Sequence, residues 1–549
     1  MRFRGSINIV NNFHYDNSFY SKFVTLGNYM SKQNTISNKF ILWIAFAEGF
    51  AVMGTEILSG KLMAPFYGNS IHTWSIVIMT VLGSLTVGYF LGGHLSTKNY
   101  GTKGVLYTLL LSTLLVGCIP GLSMYSFRST IEMNLVSGAI ISSILFIAPA
   151  MICLGALSPQ LISIITKSVN ESGQRTGHIF AIATAGGIIS TFLMGFYFIP
   201  ELGSRNSIYI ILTLLMGLFL MYYVINFNIK SIAVGIASII IIISINSSSI
   251  GKEVRSTVKL VYKDEGLQGN MIVLDYQDLQ SRVLMVDYIS QTKMHFSGRS
   301  KWPYIYRMAT YTSFKPTGSD VLLCGIGGGN LVNELSLLGF NVDAVDIDER
   351  MQFVARKYFN MTNKVNLFID DARHHINLCD KKYDIIILDL SAGEMVPGNL
   401  YTIECFKKIK MLLNVNGVLL IHYVSSLAPK NHSAILSIAK TLTEAGYHTN
   451  IMNTNPSKQH VKELIYFASP NKIDLQNQNF RMDPEILAKI KIPLKENIYL
   501  TQFDFNDGVL ITDNQPILEF LHKNVVTELR QSSRDKFKGL LQSESNLFY

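Results

Sequence analysis

From Phe40 to Ile250 the chain runs through long apolar stretches that lack Lys and Arg, and nothing else in it narrows the fold so far. Hydrocarbon offers no partner for a backbone N–H or C=O, so such a region must satisfy its own hydrogen bonds, as helices do. A crossing needs about 20 apolar residues. Seven segments are long enough, approximately Phe40–Ile57, Trp74–Leu95, Gly104–Phe127, Asn134–Ile165, Gly177–Pro200, Asn206–Asn226 and Ser231–Ile250. The fourth is over-long and holds Pro149 and Pro159, so a kink, or a span followed by a re-entrant piece, is expected there. Residues 1–38 are polar and aromatic, with no compact apolar stretch or small-residue cleavage site, and do not read as a cleaved signal peptide. The sequence therefore divides into a polar segment 1–38, a membrane domain 39–250 of about seven helices, and a globular part after Gly251.

The net charge of +9 follows this division. Arg2, Arg4, Lys22, Lys32, Lys39, Lys98, Lys103, Lys167, Arg175 and Lys230 flank the spans on one side; Lys61, Arg128 and Arg205 flank them on the other. The bias puts the N-terminus in the cytoplasm. Seven spans would then put the globular part outside, away from nucleotide-type metabolites. The expectation is a cytoplasmic catalytic domain on a multi-pass protein of the cell membrane, with the span count changing near Pro149–Pro159. No Lys/Arg block suggests a nucleic-acid partner. The cysteines (Cys118, Cys153, Cys324, Cys379, Cys405) form no CxxC pair, so neither a zinc site nor a disulfide framework is expected. Glu48 and Glu56 fall in or at the end of the first span. A carboxylate there is costly and is a candidate for a substrate or proton path, or else is bonded to neighbouring helices.

In the globular part, Val258–Asp287 alternates apolar and polar residues and reads as a small antiparallel sheet of about three strands, within a subdomain 251–315. Residues 316–549 then alternate apolar strands with helices, the pattern of a mostly parallel, doubly wound sheet. Asp320–Asp346 (DVLLCGIGGGNLVNELSLLGFNVDAVD) is a strand, a glycine loop with Gly325, Gly327 and Gly328, a helix, and a second strand ending on Asp346. This is the layout of a nucleotide-binding βαβ unit: glycines let the backbone approach a ligand, and the acid accepts from ribose hydroxyls. Two later strands end on Asp371 and Asp389. Ligands bind beyond the carboxyl ends of such strands, so these residues should converge on one crevice. With no GKS or GKT after the glycines, a P-loop is excluded; the acid ending the third strand favours an adenosyl-sulfonium ligand over a dinucleotide.

RVLMVDYISQT, LLCGIGGGN, VDAVDIDERMQFVARKYF, DDARHHI and YDIIILDLSAGEMVPGNLYTIECFKKIKMLLNVNGVLLIHY resemble the polyamine aminopropyltransferases (spermidine synthases), a branch of the class I methyltransferase, Rossmann-like fold. GTEILSGKLMAPFYGNSIHTW, LGALSPQL and GHIFAIATAGGIISTFLMGFYFIPELGSRNS resemble the multispan region of the fused, membrane-bound members. The resemblance implies an enzyme that moves an aminopropyl group from decarboxylated S-adenosylmethionine to putrescine or a related amine, giving spermidine, with no metal. It implies that Asp346 holds the donor's ribose, Asp371 meets its adenine, Asp389 deprotonates the attacking amine, and Gln291 lies on the substrate side. Tyr401 matches an aromatic that flanks the crevice. Two positions depart from the family: Asn330 stands where its glycine loop carries Asp, and Ala392 replaces the second Asp of its catalytic loop. Glu394 is the nearby acid that could serve the substrate instead. These departures keep two alternatives in view: an S-adenosylmethionine-dependent methyltransferase, and a polyamine-related transporter or sensor whose domain binds without chemistry. A small-molecule amine and the lipid bilayer are the expected partners, and a homodimer is one assembly the reading admits.

Overall fold

The computed structural model describes residues 37–98, 100–248, 257–390, 396–426, 432–453, 461–481 and 505–543. Its first half is a bundle of antiparallel helices. Five described helical segments are long and apolar enough to cross a membrane, and the pair Gly101–Gly117 and Ile119–Thr130, bent by 54°, makes a sixth. The stretch after Asn134 is broken twice, into Leu135–Phe146, Ala148–Gly155 and Leu157–Ile165, each break falling just before a proline. A proline lacks an N–H and clashes with the preceding turn, so the helix restarts there. The run Val169–Ile225 is interrupted at Gly203, whose φ of 78° no helix accommodates, beside Pro200.

Small residues set the bundle's tightest contact. A Cβ on Gly49 would strike the backbone of Ala183, and one on Gly186 would strike that of Phe46. This is the packing by which apolar helices associate closely without a hydrophobic driving force. Glu48 is buried here and accepts a hydrogen bond from Ser158 Oγ at 2.9 Å, while Glu56 is half-buried.

Beyond the bundle, strands β1 (Val258–Gly266), β2 (Gly269–Tyr276), β3 (Ser281–Val286) and β4 (Ile289–His295) form a four-stranded antiparallel sheet, one strand more than the alternation predicts. The fourth was hidden because SQTKMH is polar. A seven-stranded sheet follows, built from β5 (Asp320–Cys324), β6 (Asn341–Asp346), β7 (Asn366–Ile369), β8 (Tyr383–Leu388), β9 (Leu413–Ser426), β10 (His448–Asn453) and β11 (Val461–Ser469), in the order β10-β11-β9-β8-β5-β6-β7. From β7 to β9 all neighbours are parallel; β11 and β10 add an antiparallel edge. This is the Rossmann-like, methyltransferase-type arrangement. The order reverses between β5 and β8, which opens a crevice at their carboxyl ends.

The globular half is seated on the end of the bundle away from Asn38. Arg530, fully buried on the C-terminal helix Leu518–Ser543, donates to Pro65 O at 3.0 Å and to Asp287 O at 2.8 Å. Lys61 Nζ reaches Leu267 O at 2.8 Å, and the Ser204 amide donates to Glu265 at 2.6 Å. Buried carbonyls need such donors, and each is worth on the order of 1–3 kcal/mol when the alternative is no partner.

Candidate functional site

The parallel ladder itself brings the acids together. Gly325 N donates to Val345 O, Asp370 N to Asp346 O, and Asp389 N to Cys324 O, each at 2.8–3.1 Å. Each hydrogen bond ties a strand end to its neighbour, so Asp346, Asp370, Asp371 and Asp389 rim one cavity of about 600 Å³. Gly325, with φ 90°, sits so close to Asp389 that a Cβ would meet its carbonyl. Only glycine serves there, because other residues are strained at that φ and have no room.

The donor-side wall is organised by backbone. Asp346 accepts from Ile326 N and Asp348 N, both at 3.0 Å, one on each carboxylate oxygen. Burial raises its pKa to about 6, against the lowering effect of those amides. Each oxygen keeps acceptor capacity for a ribose hydroxyl, so the residues fit an adenosyl ligand. Asp371 lines the cavity while its carboxylate caps the helix Ala372–Leu378, accepting from His374 N at 3.0 Å. Asn330 opens the helix Asn330–Leu337 and is 6 % exposed; its Oδ1 and Nδ2 both lack a hydrogen-bond partner among the described residues.

The opposite wall is organised by side chains. Asp389 Oδ1 lies 2.8 Å from His422 Nδ1, and Tyr304 Oη donates to Asp389 Oδ2 at 3.4 Å. The Tyr304 ring lies on the imidazole, centroids 3.8 Å apart and planes 5° from parallel. Burial and the Asp389 carboxylate hold the Tyr304 hydroxyl well above its ordinary pKa, so it is a donor. Burial pushes His422 down, but the hydrogen bond and charge of Asp389, with the charge of Glu463, outweigh it and leave His422 above the usual imidazole value. Gln291, Trp302, Pro397 and Glu519 complete this side.

Among the described lining residues none is Lys or Arg, whereas six are acids: Asp346, Asp348, Asp370, Asp371, Asp389 and Glu519. Three are neutralised from behind, Asp348 by Arg350 at 2.6 Å, Asp370 by His374 at 2.9 Å and Asp389 by His422. Such a cavity suits a cationic ligand.

Of the residues singled out in the sequence, Gly325, Gly327, Asn330, Asp346, Asp371, Asp389 and Gln291 lie on this cavity. Gly328 and Tyr401 are corrections. The Gly328 amide is spent on Thr292 Oγ1 at 2.8 Å, which anchors the glycine loop to β4 instead of facing a ligand. Tyr401 is wholly buried behind the rim, packed against Phe406 and Tyr423, because the turn Gly398–Leu400 carries its ring into the core. Glu394 and Ala392 fall within 391–395, outside the described residues. Glu48 and Glu56 belong to the bundle and do not reach the cavity. Sequence reasoning missed Tyr304 and His422. The second had a signal: the strand ending GVLLIH carries its polar residue at the carboxyl end, as the acid-tipped strands do.

Residues 306–465 match the family described as "Spermine/spermidine synthase domain". The polyamine aminopropyltransferase of Vibrio vulnificus is 27% identical over 235 residues, covering 40% of this chain and 76% of its own. That of Leptospira interrogans is 22% identical over 415 residues, covering 72% of this chain and 80% of its own. The latter match is longer than the part after residue 250, so it runs into the helical half. The crystal structure of spermidine synthase from Thermotoga maritima aligns with 50% of this chain and 87% of its own, at 18% identity and a TM-score of 0.33. By the matched domain and these relatives, the chain belongs to the spermine/spermidine synthase family.

Proposed function

We propose that the protein is a membrane-anchored aminopropyltransferase that moves an aminopropyl group from decarboxylated S-adenosylmethionine to putrescine or a related amine. The observation that carries this is the cavity lining: acids at successive strand ends and no basic side chain among the described residues. The donor supplies a sulfonium whose adjacent carbon is electrophilic and whose thioether leaves. An ammonium has no lone pair, so the acceptor must lose a proton before it attacks; Asp389 is placed to take it on Oδ2. Asp346 holds the ribose, and the walls align nucleophile and leaving group, which is where most of the acceleration in such a displacement arises. The test is thioether release by the purified full-length protein with the decarboxylated donor and a panel of amines. Turnover with a diamine is expected. No turnover with any amine, alongside measurable binding of an adenosyl ligand, overturns the proposal.

Asn330 favours a second reading. Its unpartnered amide offers a donor and an acceptor at a helix N-terminus, which suits the ammonium and carboxylate of intact S-adenosylmethionine better than a purely cationic aminopropyl end. On that reading the enzyme transfers a methyl group. The same assay run with the intact donor separates the two.

The apolar helices are proposed to span the lipid bilayer, with the catalytic domain in the cytoplasm, where nucleotide-type metabolites are held. The domain's seat opposite Asn38 then puts the N-terminal segment and the more basic connections outside, against the charge bias. Reporter fusions decide this: fluorescence at the C-terminus and phosphatase activity in the connection at residues 97–103 are expected. The reverse pattern puts the domain outside.

A further inference from the structure

The sheet register makes neighbours of two residues that no reading of the sequence joined. β8 and β9 pair in parallel, with Ile387 opposite Leu420 and Leu388 opposite Ile421. The next step of that register sets Asp389 beside His422, so the 2.8 Å contact follows from topology and not from a chance rotamer. The side chains of both are largely buried, 14 % exposed for Asp389 and 12 % for His422. Tyr304 stacks flat on the imidazole and closes it from one side. His422 is not itself on the cavity surface.

We propose that His422 is a positioning residue that fixes which oxygen of Asp389 faces the acceptor and, through its own charge, sets how strongly that oxygen takes a proton. This deepens the aminopropyltransferase reading and rests on it for the identity of the reaction. The imidazole Nδ1–H occupies Oδ1. Oδ2 is left with one long hydrogen bond from Tyr304, so it is the oxygen available to a ligand. The imidazole cannot be the proton's final holder. In neutral or charged form its Nδ1 already bears hydrogen toward Asp389, and Nε2 is buried without a partner among the described residues. Its influence is therefore exerted on Asp389. A charged imidazolium stabilises the carboxylate and weakens it as a base; the neutral ring keeps the same hydrogen bond but removes that restraint.

The balance is simple. The acceptor ammonium gives its proton to Asp389 Oδ2, its nitrogen forms the new C–N bond, the C–S bond breaks, and the sulfonium becomes a neutral thioether. Charge around His422 comes from three elements: Asp389 after β8, Glu463 on β11 and Tyr304 on the helix Pro303–Thr312. Both acids favour the imidazolium. Turnover should accordingly rise as pH climbs through the titration of His422, above the ordinary histidine range.

Two measurements on the full-length protein test this. The first is the pH profile of kcat/KM for the wild type, His422→Gln and His422→Ala. The glutamine keeps a donor to Oδ1 but cannot titrate, so the acidic limb should shift by at least one pH unit or vanish. The alanine should lower kcat about tenfold to a hundredfold with KM for the donor unchanged. Superimposable profiles for the wild type and His422→Gln, or full kcat in His422→Ala, overturn the proposal. The second is histidine C2–H exchange read by mass spectrometry, which needs no turnover. His422 should titrate above the ordinary value in the wild type and below it in Asp389→Asn, where burial is unopposed. An unchanged titration in that variant also overturns it. If no amine is turned over yet the exchange shift is found, the reaction assignment has failed and the Asp389–His422 pair stands.

Discussion

The two walls of the cavity are built in different ways. The donor wall is backbone: a glycine loop held open by φ values that favour glycine, an acid that receives two amides, and hydrogen bonds that tie each strand end to the next. The acceptor wall is side chain: Asp389, His422 and Tyr304 hold one another, and Gln291 and Glu519 stand at its edge. A wall made of backbone admits few substitutions and one ligand shape. A wall made of side chains can be retuned one residue at a time, so the adenosyl end of the chemistry is fixed by the fold while the other end is open to change.

The sharpest way to break this comparison is Asp389→Asn. The asparagine is isosteric and keeps an acceptor for His422, but cannot take the acceptor's proton. Turnover should fall by about a thousandfold. The affinity for the adenosyl thioether, measured by calorimetry, should stay within about twofold. A parallel loss of donor affinity would show that the walls are not independent.

Asn330→Asp probes the one donor-side position that is side chain and not backbone. The buried carboxylate it installs pairs with a cationic aminopropyl end and repels the carboxylate of intact S-adenosylmethionine. Preference for the decarboxylated donor should rise by about tenfold to a hundredfold, read as the ratio of kcat/KM for the two donors. An unchanged ratio would mean that Asn330 does not touch the donor's end.

Asp346 gives the donor wall a pH signature. Its folded pKa is raised to about 6 from an unfolded 3.8, so the folded chain holds this proton to a higher pH. The sign follows: apo-protein stability attributable to Asp346 is greatest below the unfolded value and is lost as pH rises toward 6. Ligand binding runs the other way, since the ionised form is the better acceptor for ribose hydroxyls. Affinity for an adenosyl thioether should weaken by up to about tenfold between pH 7 and pH 5. A flat response would remove Asp346 from the ribose contact.

How much of this was legible in the sequence follows the same division. Strand periodicity, the glycine loop and the acid-tipped strands were readable because each is a local pattern with a local cause. The helix Ala372–Leu378 and strand Tyr383–Leu388 fall where the pattern puts them. Tyr401 was misplaced because whether an aromatic lines or backs a cavity depends on the turn before it, which no spacing encodes. His422 was passed over because its partner lies 33 positions away and meets it only through sheet register. β10, β11 and the C-terminal helix were not foreseen, although that helix supplies both Glu519 at the rim and the buried Arg530. In the apolar half the residues dictate helices, but breaks at Ile147, Ala156 and Gly203 reorganise the expected segments.

Thr292 is where the two walls are joined. Its hydroxyl, on β4 beside Gln291, accepts from the Gly328 amide at 2.8 Å and donates to Gln291 O at 2.8 Å. Thr292→Val keeps shape and β-branching but leaves a buried N–H without its acceptor, at a cost of about 1–3 kcal/mol. If the donor wall stands by its own backbone, that cost appears as a lower melting temperature with donor affinity reduced only a few-fold and acceptor KM unchanged. If instead the small sheet holds the glycine loop in register for both ligands, donor affinity and acceptor KM should worsen together. Thermal unfolding, calorimetry with the adenosyl thioether and acceptor kinetics on this one variant distinguish the outcomes. We expect the first, because the loop's conformation is already set by the positive φ of Gly325, Gly327 and Gly329.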